Sequence, residues 1–530
     1  MIKITDRKNF LFIITDQQRK DHLSCYNPYM KLKTPNIDKI ARDGIRFTNF
    51  YCNNPICMPN RSTIFTGQYP SIHGVITNGR NLPQGTQTFL DILIESNVYY
   101  TASFGKIHLN YFGMDKIGKK RPQQSQEFFP KRYYRKLTSF SPYFGLKETK
   151  IISGHGIYTG HPDYYNWVIS KINLDESLQM RLQIDPNDSN KVILDKFLNL
   201  YSLAPKNRDS NNSLQILKHE IPEELYSTTF VKENTINFLN KFARNHYDSK
   251  NFFVFCSFPD PHHPFSPPGK YFNMYNPRDV ELPNSFNDEH KNSCSVCKDH
   301  YSGYLTTEGT EHDFPIPKDL SEFDAKQCIA ASYGMEKMID DAVGEILNAL
   351  EKLGLAENTV VIYTTDHGDL GGDHKFFFKG PFLYRGLLNI PFLIKIPNGI
   401  NNEVCESLAS SIDIPETILE LAGFSIPKKM QGKSLVPMLK DTKLSLNKDI
   451  LIEMNDEFIN HKTRTLITNK WRISIFKDSG QLYNIKEDPD EMSNLWDDNL
   501  YKDTKLELLL KLLRKITINQ ERILIRDCGY

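Results

Sequence analysis

Three apolar runs along the chain read as strands buried on both faces, and each ends in polar residues. Phe10 to Thr15 (FLFIIT) is short, β-rich and closed by Asp16, the pattern of a parallel strand covered on both sides. Val360 to Thr365 repeats it and ends at Asp366, and Asn251 to Phe258 runs into the polar cluster Pro259 to Pro264. Ahead of the second run, Phe323 to Leu353 carries apolar residues at Met335, Met338, Ile339, Ala342, Val343, Ile346, Leu347 and Leu350. That spacing predicts a helix, with Gly354 placed to cap it. Helix followed by strand predicts an α/β sheet, whose ligands sit beyond the carboxyl ends of the strands. From Tyr111 to Glu223 the periods are unclear and Tyr, Phe, Lys and Asn abound, so long insertions and loops are expected there. Beyond Gly423, Ile450 to Met454, Thr463 to Thr468 and Trp471 to Phe476 read as short strands, and Asn499 to Ile518 as a helix. The expected division is a catalytic α/β domain over residues 1–425 and a smaller α+β domain over 426–530.

Charge changes this picture little. The 530 residues hold 65 Lys and Arg against 64 Asp and Glu, so no global field draws nucleic acid or a membrane surface, and neither is expected as a partner. An anionic substrate must be met by local charges. Met1 to Asn9 is polar and Phe10 to Ile14 is too short for a signal peptide or a membrane span, which gives the expectation of a cytoplasmic enzyme. The nine cysteines are odd in number and scattered, so reduced thiols are expected.

The segment Cys57-Met-Pro-Asn-Arg61-Ser-Thr-Ile-Phe-Thr-Gly67 carries the chemistry. Pro59 suits the first turn of a helix, which puts Cys57 at the positive helix end, and Arg61 adds a cation nearby. Taken alone, such a cysteine is more often a structural residue before a helix. Strand ends at Asp16-Gln17 and Asp366-His367 each offer a carboxylate beside a second donor, as a divalent cation requires.

CMPNRSTIFTG resembles the signature of the sulfatases, in which the Cys of CxPxR is oxidised to formylglycine. The rest of the chain agrees in order: TDQQR at 15–19, TPNID at 34–38, GKIH at 105–108, PHHPF at 261–265, TTDHGD at 364–369 and HKFFFK at 374–379. LYNIKEDPDEMSNL at 482–495 is similar to the family's C-terminal domain. The resemblance implies the alkaline phosphatase-like fold, a large mixed sheet between helices with a small antiparallel sheet and a terminal helix after it. It implies a metal on Asp16, Gln17, Asp366, His367 and the modified Cys57, with calcium favoured. Gln17 and His367 depart from the commoner acid and amide ligands and make manganese or magnesium alternatives.

The resemblance also assigns roles. Lys106 would neutralise sulfate oxygens, and His108 would take a proton from the formylglycine hydroxyl. His262 and Lys379 would stand on the leaving-group side and help protonate the alcohol. One hydroxyl of the hydrated aldehyde attacks sulfur, and the second, once deprotonated, expels sulfate from residue 57. His263 and His374 stay open, the latter as a wall residue. The implied partners are a small sulfated substrate and a formylglycine-generating or sulfatase-maturing enzyme. Asn78, Arg80 and the aromatic-basic stretch from Phe128 to Tyr143 are candidates for the pocket wall, a mixture suited to a sulfated carbohydrate. Asp16-Gln17 with an Asp-His pair, and Asn78, also resemble phosphonate monoester and phosphodiester hydrolases of the same superfamily, whereas GKIH is of sulfatase type. A catalytically silent binding protein that retains the fold is the remaining alternative. Finally, His290, Cys294, Cys297 and His300 crowd into one polar segment and could form a zinc site; a solvated loop with free thiols is the expected outcome.

Overall fold

The three apolar runs are strands buried along their whole length: β1 (Asn9–Thr15), then Asn251–Ser257 and Thr359–Thr365. Because side chains alternate across a sheet, each strand feeds two cores. Phe10, Phe12, Ile14, Phe253, Phe255 and Ile362 enter one cluster, and Leu11, Ile13, Val254, Cys256, Val361 and Tyr363 enter another. Helices cover both faces, which is why the strands read as unbroken apolar runs rather than alternating ones.

In this computed structural model, which describes residues 7–111, 125–127, 141–202, 214–248, 250–303, 316–456 and 461–520, the main sheet has eight strands. With β2 (Ile45–Phe47), β3 (Tyr99–Gly105), β4 (Glu148–Ile151), β5 (Asn251–Ser257), β6 (Thr359–Thr365), β7 (Phe392–Lys395) and β8 (Glu403–Cys405), the order is β4-β3-β5-β1-β6-β7-β2-β8. The first five are parallel, and β7 runs antiparallel to both β6 and β2. Helix α1 (Pro35–Arg42) lies on the face of Leu11 and Ile13, and α2 (Cys57–Thr66) supplies Met58, Ile64 and Phe65 to the opposite face. The helix expected near 323–353 is Glu322–Lys352, and Gly354 follows it with φ +68°, as a C-terminal cap requires.

One expectation needs correction, and one strand was not foreseen. The segment after Tyr111 is not only loops: Pro162–Leu174, Glu176–Arg181 and Asn190–Ser202 are helices, and Tyr164, Val168, Ile172, Leu178 and Phe197 pack into the core of Leu11 and Ile13. Their apolar positions are diluted by Asn, Lys and Asp on the outer face, which blurred the period. The reading also passed over β3, whose YYTASFG replaces bulky aliphatics with Thr, Ala and Ser, although the strand is buried between two neighbours.

The C-terminal strands Ile450–Asp456, His461–Ile467, Trp471–Ile475 and Gly480–Asn484 pair antiparallel in chain order. One face joins the main core through Ile450, Ile452, Met454 and Tyr483, and the other packs Leu451, Leu466, Ile473 and Leu482 against Leu508 and Leu512 of the helix Lys502–Gln520. Among the described residues no helix is long and apolar enough to cross a membrane.

Candidate active site

Four neighbouring parallel strands, β3, β5, β1 and β6, end on the same side, and each delivers polar residues just beyond its last residue. Asp16 and Gln17 follow β1, Lys106 and His108 follow β3, His262 follows β5, and Asp366 and His367 follow β6. The GKIH glycine has a steric reason. Gly105 lies at φ +111°, and a Cβ there would come within 1.8 Å of the Ser257 carbonyl oxygen on β5. Only glycine allows the two strand ends to approach so closely, and Lys106 N–H then donates to that same carbonyl at 3.1 Å.

Cys57 opens α2, a helix buried at every position. It is tied to the strand ends by polar side chains rather than by an apolar stripe. Asn60 Nδ2 donates to the Asp366 carbonyl at 2.5 Å. Arg61 Nε donates to Asp366 Oδ2 at 2.7 Å, and its Nη1 donates to the Lys106 carbonyl at 2.8 Å and to Ser257 Oγ at 2.9 Å. Arg61 thus spans β6, β3 and β5, a fixed counter-charge rather than a mobile one.

Around the Cys57 Sγ stand Lys379 Nζ at 3.1 Å, His367 Nε2 at 3.2 Å and Asp16 Oδ1 at 3.6 Å. Lys379 Nζ also reaches His262 Nε2 at 2.8 Å and donates to Gln17 Oε1 at 3.1 Å. Lys106 Nζ contacts Asp16 Oδ2. The structure therefore brings together Asp16, Gln17, Cys57, Arg61, Lys106, His262, Asp366, His367 and Lys379, and sets His108 two residues past Lys106.

Protonation follows from this crowding. Burial opposes the Asp16 carboxylate, yet Lys106 and the His155 hydrogen bond hold it well below the usual range. Burial and Asp16 oppose a Cys57 thiolate, but Lys106, Lys379 and His367 outweigh them and lower the thiol. Burial, with Lys106 and Arg61, keeps His108 neutral far below the usual imidazole range. Burial, His155 and Lys379 do the same to His262. The His262 Nδ1 lies 2.5 Å from the His263 carbonyl, which can only accept, so the neutral ring carries its proton on Nδ1 and turns the Nε2 lone pair to Lys379.

A metal fits this set. One ligand atom each from Asp16, Cys57, Asp366 and His367 lies within 4.8 Å of the others, all buried. His367 Nδ1 is 2.8 Å from the Gly368 carbonyl, which fixes the tautomer and leaves Nε2 facing the carboxylates, as in imidazole ligands generally. Two carboxylates, an amide oxygen on Gln17 and one imidazole make a donor set dominated by oxygen.

The remaining expected residues fall at the margin. Asn78 is exposed and its Oδ1 accepts the Met58 N–H at 3.0 Å, capping the helix of Cys57; Arg80 is exposed two residues on. Residues 128–140 of the proposed pocket wall lie outside the described residues, and Tyr143 is buried, bonded to Glu127 and Asn110. His263 Nδ1 is 2.9 Å from Gln17 Nε2. His374 bonds Asp288 at 2.7 Å and stacks on Tyr384, a supporting place. The zinc alternative finds no support, since both ring nitrogens of His290 are engaged, by Ser293 and by the His374 carbonyl, and His300 stacks on Phe382. The solvated loop expected instead is in fact a helix, Ser295–Ser302, with His290, Cys294, Cys297 and His300 all buried. Among the described residues those four do not gather around one point.

Sequence reasoning missed His155. It sits in the turn Gly154-His155-Gly156 after β4, its Nε2 2.7 Å from Lys106 Nζ, its ring stacked on His262 at 3.6 Å. No periodicity marks it; the flanking glycines, both at positive φ, are its one local signal. Arg19 was passed over in TDQQR as well. It donates to the Asp369 carbonyl at 3.0 Å and to Asp373 at 3.1 Å, and so holds the loop that leads to Lys379.

A buried nucleophile position between a metal-fitting carboxylate set and two lysines defines a hydrolase for esters of a tetrahedral oxyanion. The chain belongs to the sulfatase family: residues 8–424 match the family model described as Sulfatase. It is accordingly a hydrolase of sulfuric esters, with a small sulfated substrate, in a family that generally uses a metal and formylglycine. Residues 372–518 also match a model described as N-sulphoglucosamine sulphohydrolase, C-terminal. An arylsulfatase of Clostridium perfringens is 27% identical over 96% of this chain and 94% of its own. A solved structure in complex with its substrate D-glucosamine-2-N,6-O-disulfate superposes with TM-score 0.71 at 20% identity, over 98% of this chain and 99% of the other. The phosphonate monoester hydrolase of Agrobacterium radiobacter gives TM-score 0.72 at 21% identity, over 97% and 96%.

Proposed function

We propose that this sulfatase removes sulfate from a sulfated carbohydrate, with residue 57 matured from cysteine to formylglycine and a divalent ion held by Asp16, Gln17, Asp366 and His367. The observation that carries the reading is the place of the Cys57 Sγ, 3.2 Å from His367 Nε2 of the metal-fitting set and 3.1 Å from Lys379 Nζ, two atoms that are themselves 3.3 Å apart. That sulfur stands in for the oxygens of the matured residue. Oxidation of the thiol by a formylglycine-generating or sulfatase-maturing enzyme, followed by hydration, would supply the hydroxyl that attacks sulfur. A bound ion would polarise a sulfate oxygen and favour deprotonation of that hydroxyl. The oxygen-rich set favours calcium; the imidazole makes manganese or magnesium the alternatives.

The chain's own side chains do the rest. Lys106, held by Asp16 and His155, offers its ammonium to a sulfate oxygen. Neutral His108 is a base able to accept a proton. Lys379 holds the proton for the departing alcohol oxygen: burial opposes its charge, and the Asp16 and Asp366 carboxylates, which remain once residue 57 is matured, favour it. His262 orients that ammonium through Nε2, so that of the two residues expected to help protonate the alcohol, Lys379 carries the proton and His262 places it. The carbohydrate reading is supported by the disulfated glucosamine named as the substrate of the structural neighbour and by exposed Asn78 and Arg80 at the margin.

Three measurements test this. Cys57→Ala should fold normally and lose at least about a thousandfold in aryl sulfate turnover, and mass analysis of the tryptic peptide holding residue 57 should show the aldehyde in active protein. A variant with near-native activity, or active protein whose residue 57 is wholly thiol, would sink the assignment. Dialysis against chelator should abolish turnover, and the ion that restores it best identifies the metal; full activity after exhaustive chelation would remove the metal from the reading.

A further inference from the structure

The cysteine-histidine segment that fails as a zinc site leaves two thiols in contact. Cys294 is the N-cap of α3 (Ser295–Ser302) and Cys297 is its third residue. Side chains at those two positions meet over the first turn, as they do in a capping box, and here the Sγ atoms are 3.4 Å apart. The spacing is that of a Cys-x-x-Cys pair with one thiol at the positive end of a helix, where a thiolate is stabilised.

The surroundings differ for the two sulfurs. Cys297 is fully buried and contacts Tyr384 Oη and Gln481 Nε2, each at 3.7 Å. Cys294 lies outside it, 4% exposed. The Cys297 hydrogen bond to it, outweighing burial and aided by the Arg472 charge, lowers the Cys294 thiol, whereas burial and Cys294 raise Cys297. Outside the active site the other described thiols, Cys25, Cys52, Cys256, Cys328 and Cys405, are all pushed up by burial.

We infer that Cys294 and Cys297 form a redox site that closes reversibly to a disulfide when a small hydroperoxide reaches Cys294. The Cys294 thiol gives up its proton and its sulfur attacks one oxygen of hydrogen peroxide, the O–O bond breaks, and the departing hydroxide takes that proton to become water. Cys297 then gives up its proton and its sulfur attacks the Cys294 sulfenic acid. An S–S bond forms, the S–O bond breaks, and a second water leaves. Two thiols and one hydrogen peroxide thus give one disulfide and two waters.

Folded full-length protein is exposed to hydrogen peroxide, quenched, denatured, alkylated with iodoacetamide and digested with trypsin, and the peptide of residues 292–298, which holds both cysteines, is weighed. Untreated protein should carry two alkyl groups on this peptide. Treated protein should carry none and be two hydrogens lighter than the free dithiol, and dithiothreitol added before alkylation should restore both. In Cys297→Ser, treated Cys294 should instead be trapped by dimedone as a sulfenic acid. A treated wild-type peptide that still takes two alkyl groups, or one oxidised to a sulfinic acid that dithiothreitol does not restore, would overturn the inference.

Discussion

At the scale of single residues, the site depends on groups that hold other groups. Lys106, the cation proposed to meet sulfate, has its ammonium shared between the Asp16 carboxylate and the His155 ring, at 2.7 Å from the latter. Burial and Lys106 depress the His155 pKa to about 3, so its Nε2 is an acceptor and fixes where the ammonium points. His155→Ala removes that acceptor and the ring stacked on His262. The expected result is a fall in kcat/KM of about 100-fold, the order that an ångström of misplacement costs. His155→Gln, whose amide oxygen can accept from Lys106, should recover part of the loss. Equal losses in the two variants would show that only ring packing matters and that the hydrogen bond to Lys106 does not.

At the scale of elements, the turn after β3 is stabilised by one carboxylate. Glu127 accepts the backbone N–H groups of His108, Leu109 and Asn110 at 2.5, 3.0 and 2.9 Å and the Tyr143 hydroxyl at 2.8 Å, which holds His108 at φ +61°. Burial nevertheless raises its pKa from 4.5 to about 7. The folded protein therefore keeps this proton where the unfolded chain has released it. The stability so contributed is complete below the unfolded value and is lost as pH rises through about 7, on the order of 3 kcal/mol in all. Glu127→Gln cannot titrate. The thermal stability of wild type minus that of this variant should fall from about pH 5 to about pH 8, and a difference that rises would refute the raised pKa. This clamp was invisible in the sequence, because Glu127 is an isolated acid in a segment without periodicity. Strands whose apolar runs are unbroken, β1, β5 and β6, were legible together with the polar residues at their ends. β3 was not, since a strand shielded by its neighbours tolerates Thr, Ala and Ser, and only the GKIH motif marked its end. The insertion helices were lost for a related reason: their buried stripes are narrow and their outer faces carry much polar sequence. His155 reaches the site through the fold alone.

At the scale of the whole molecule, fold does not separate sulfate from phosphonate chemistry, since a structure bound to its substrate D-glucosamine-2-N,6-O-disulfate and a phosphonate monoester hydrolase superpose almost equally well, at TM-scores 0.71 and 0.72. Nor does overall charge, with 65 basic against 64 acidic residues. The choice rests on what surrounds the oxyanion. A sulfate monoester presents three terminal oxygens sharing one negative charge, and its leaving oxygen gains charge as the S–O bond breaks. Lys106 against Asp16 and Lys379 against Cys57, beside a carboxylate set that fits a metal, suit such a group. A phosphonate monoester puts a carbon substituent in place of one oxygen. If that substituent faces Lys106 and His108, it meets a buried ammonium it cannot solvate. With the same phenolic leaving group, kcat/KM should therefore be higher for the sulfate. Lys106→Ala should lower sulfate turnover by about 100-fold or more, and residual phosphonate turnover by a smaller factor, because only the sulfate loses a direct charge contact in the transition state. Steady-state kinetics of both substrates on both proteins decide it: equal losses, or a wild-type preference for the phosphonate, would mean that Lys106 does not meet the oxyanion and that the site reads carbon-substituted phosphorus as readily as sulfate.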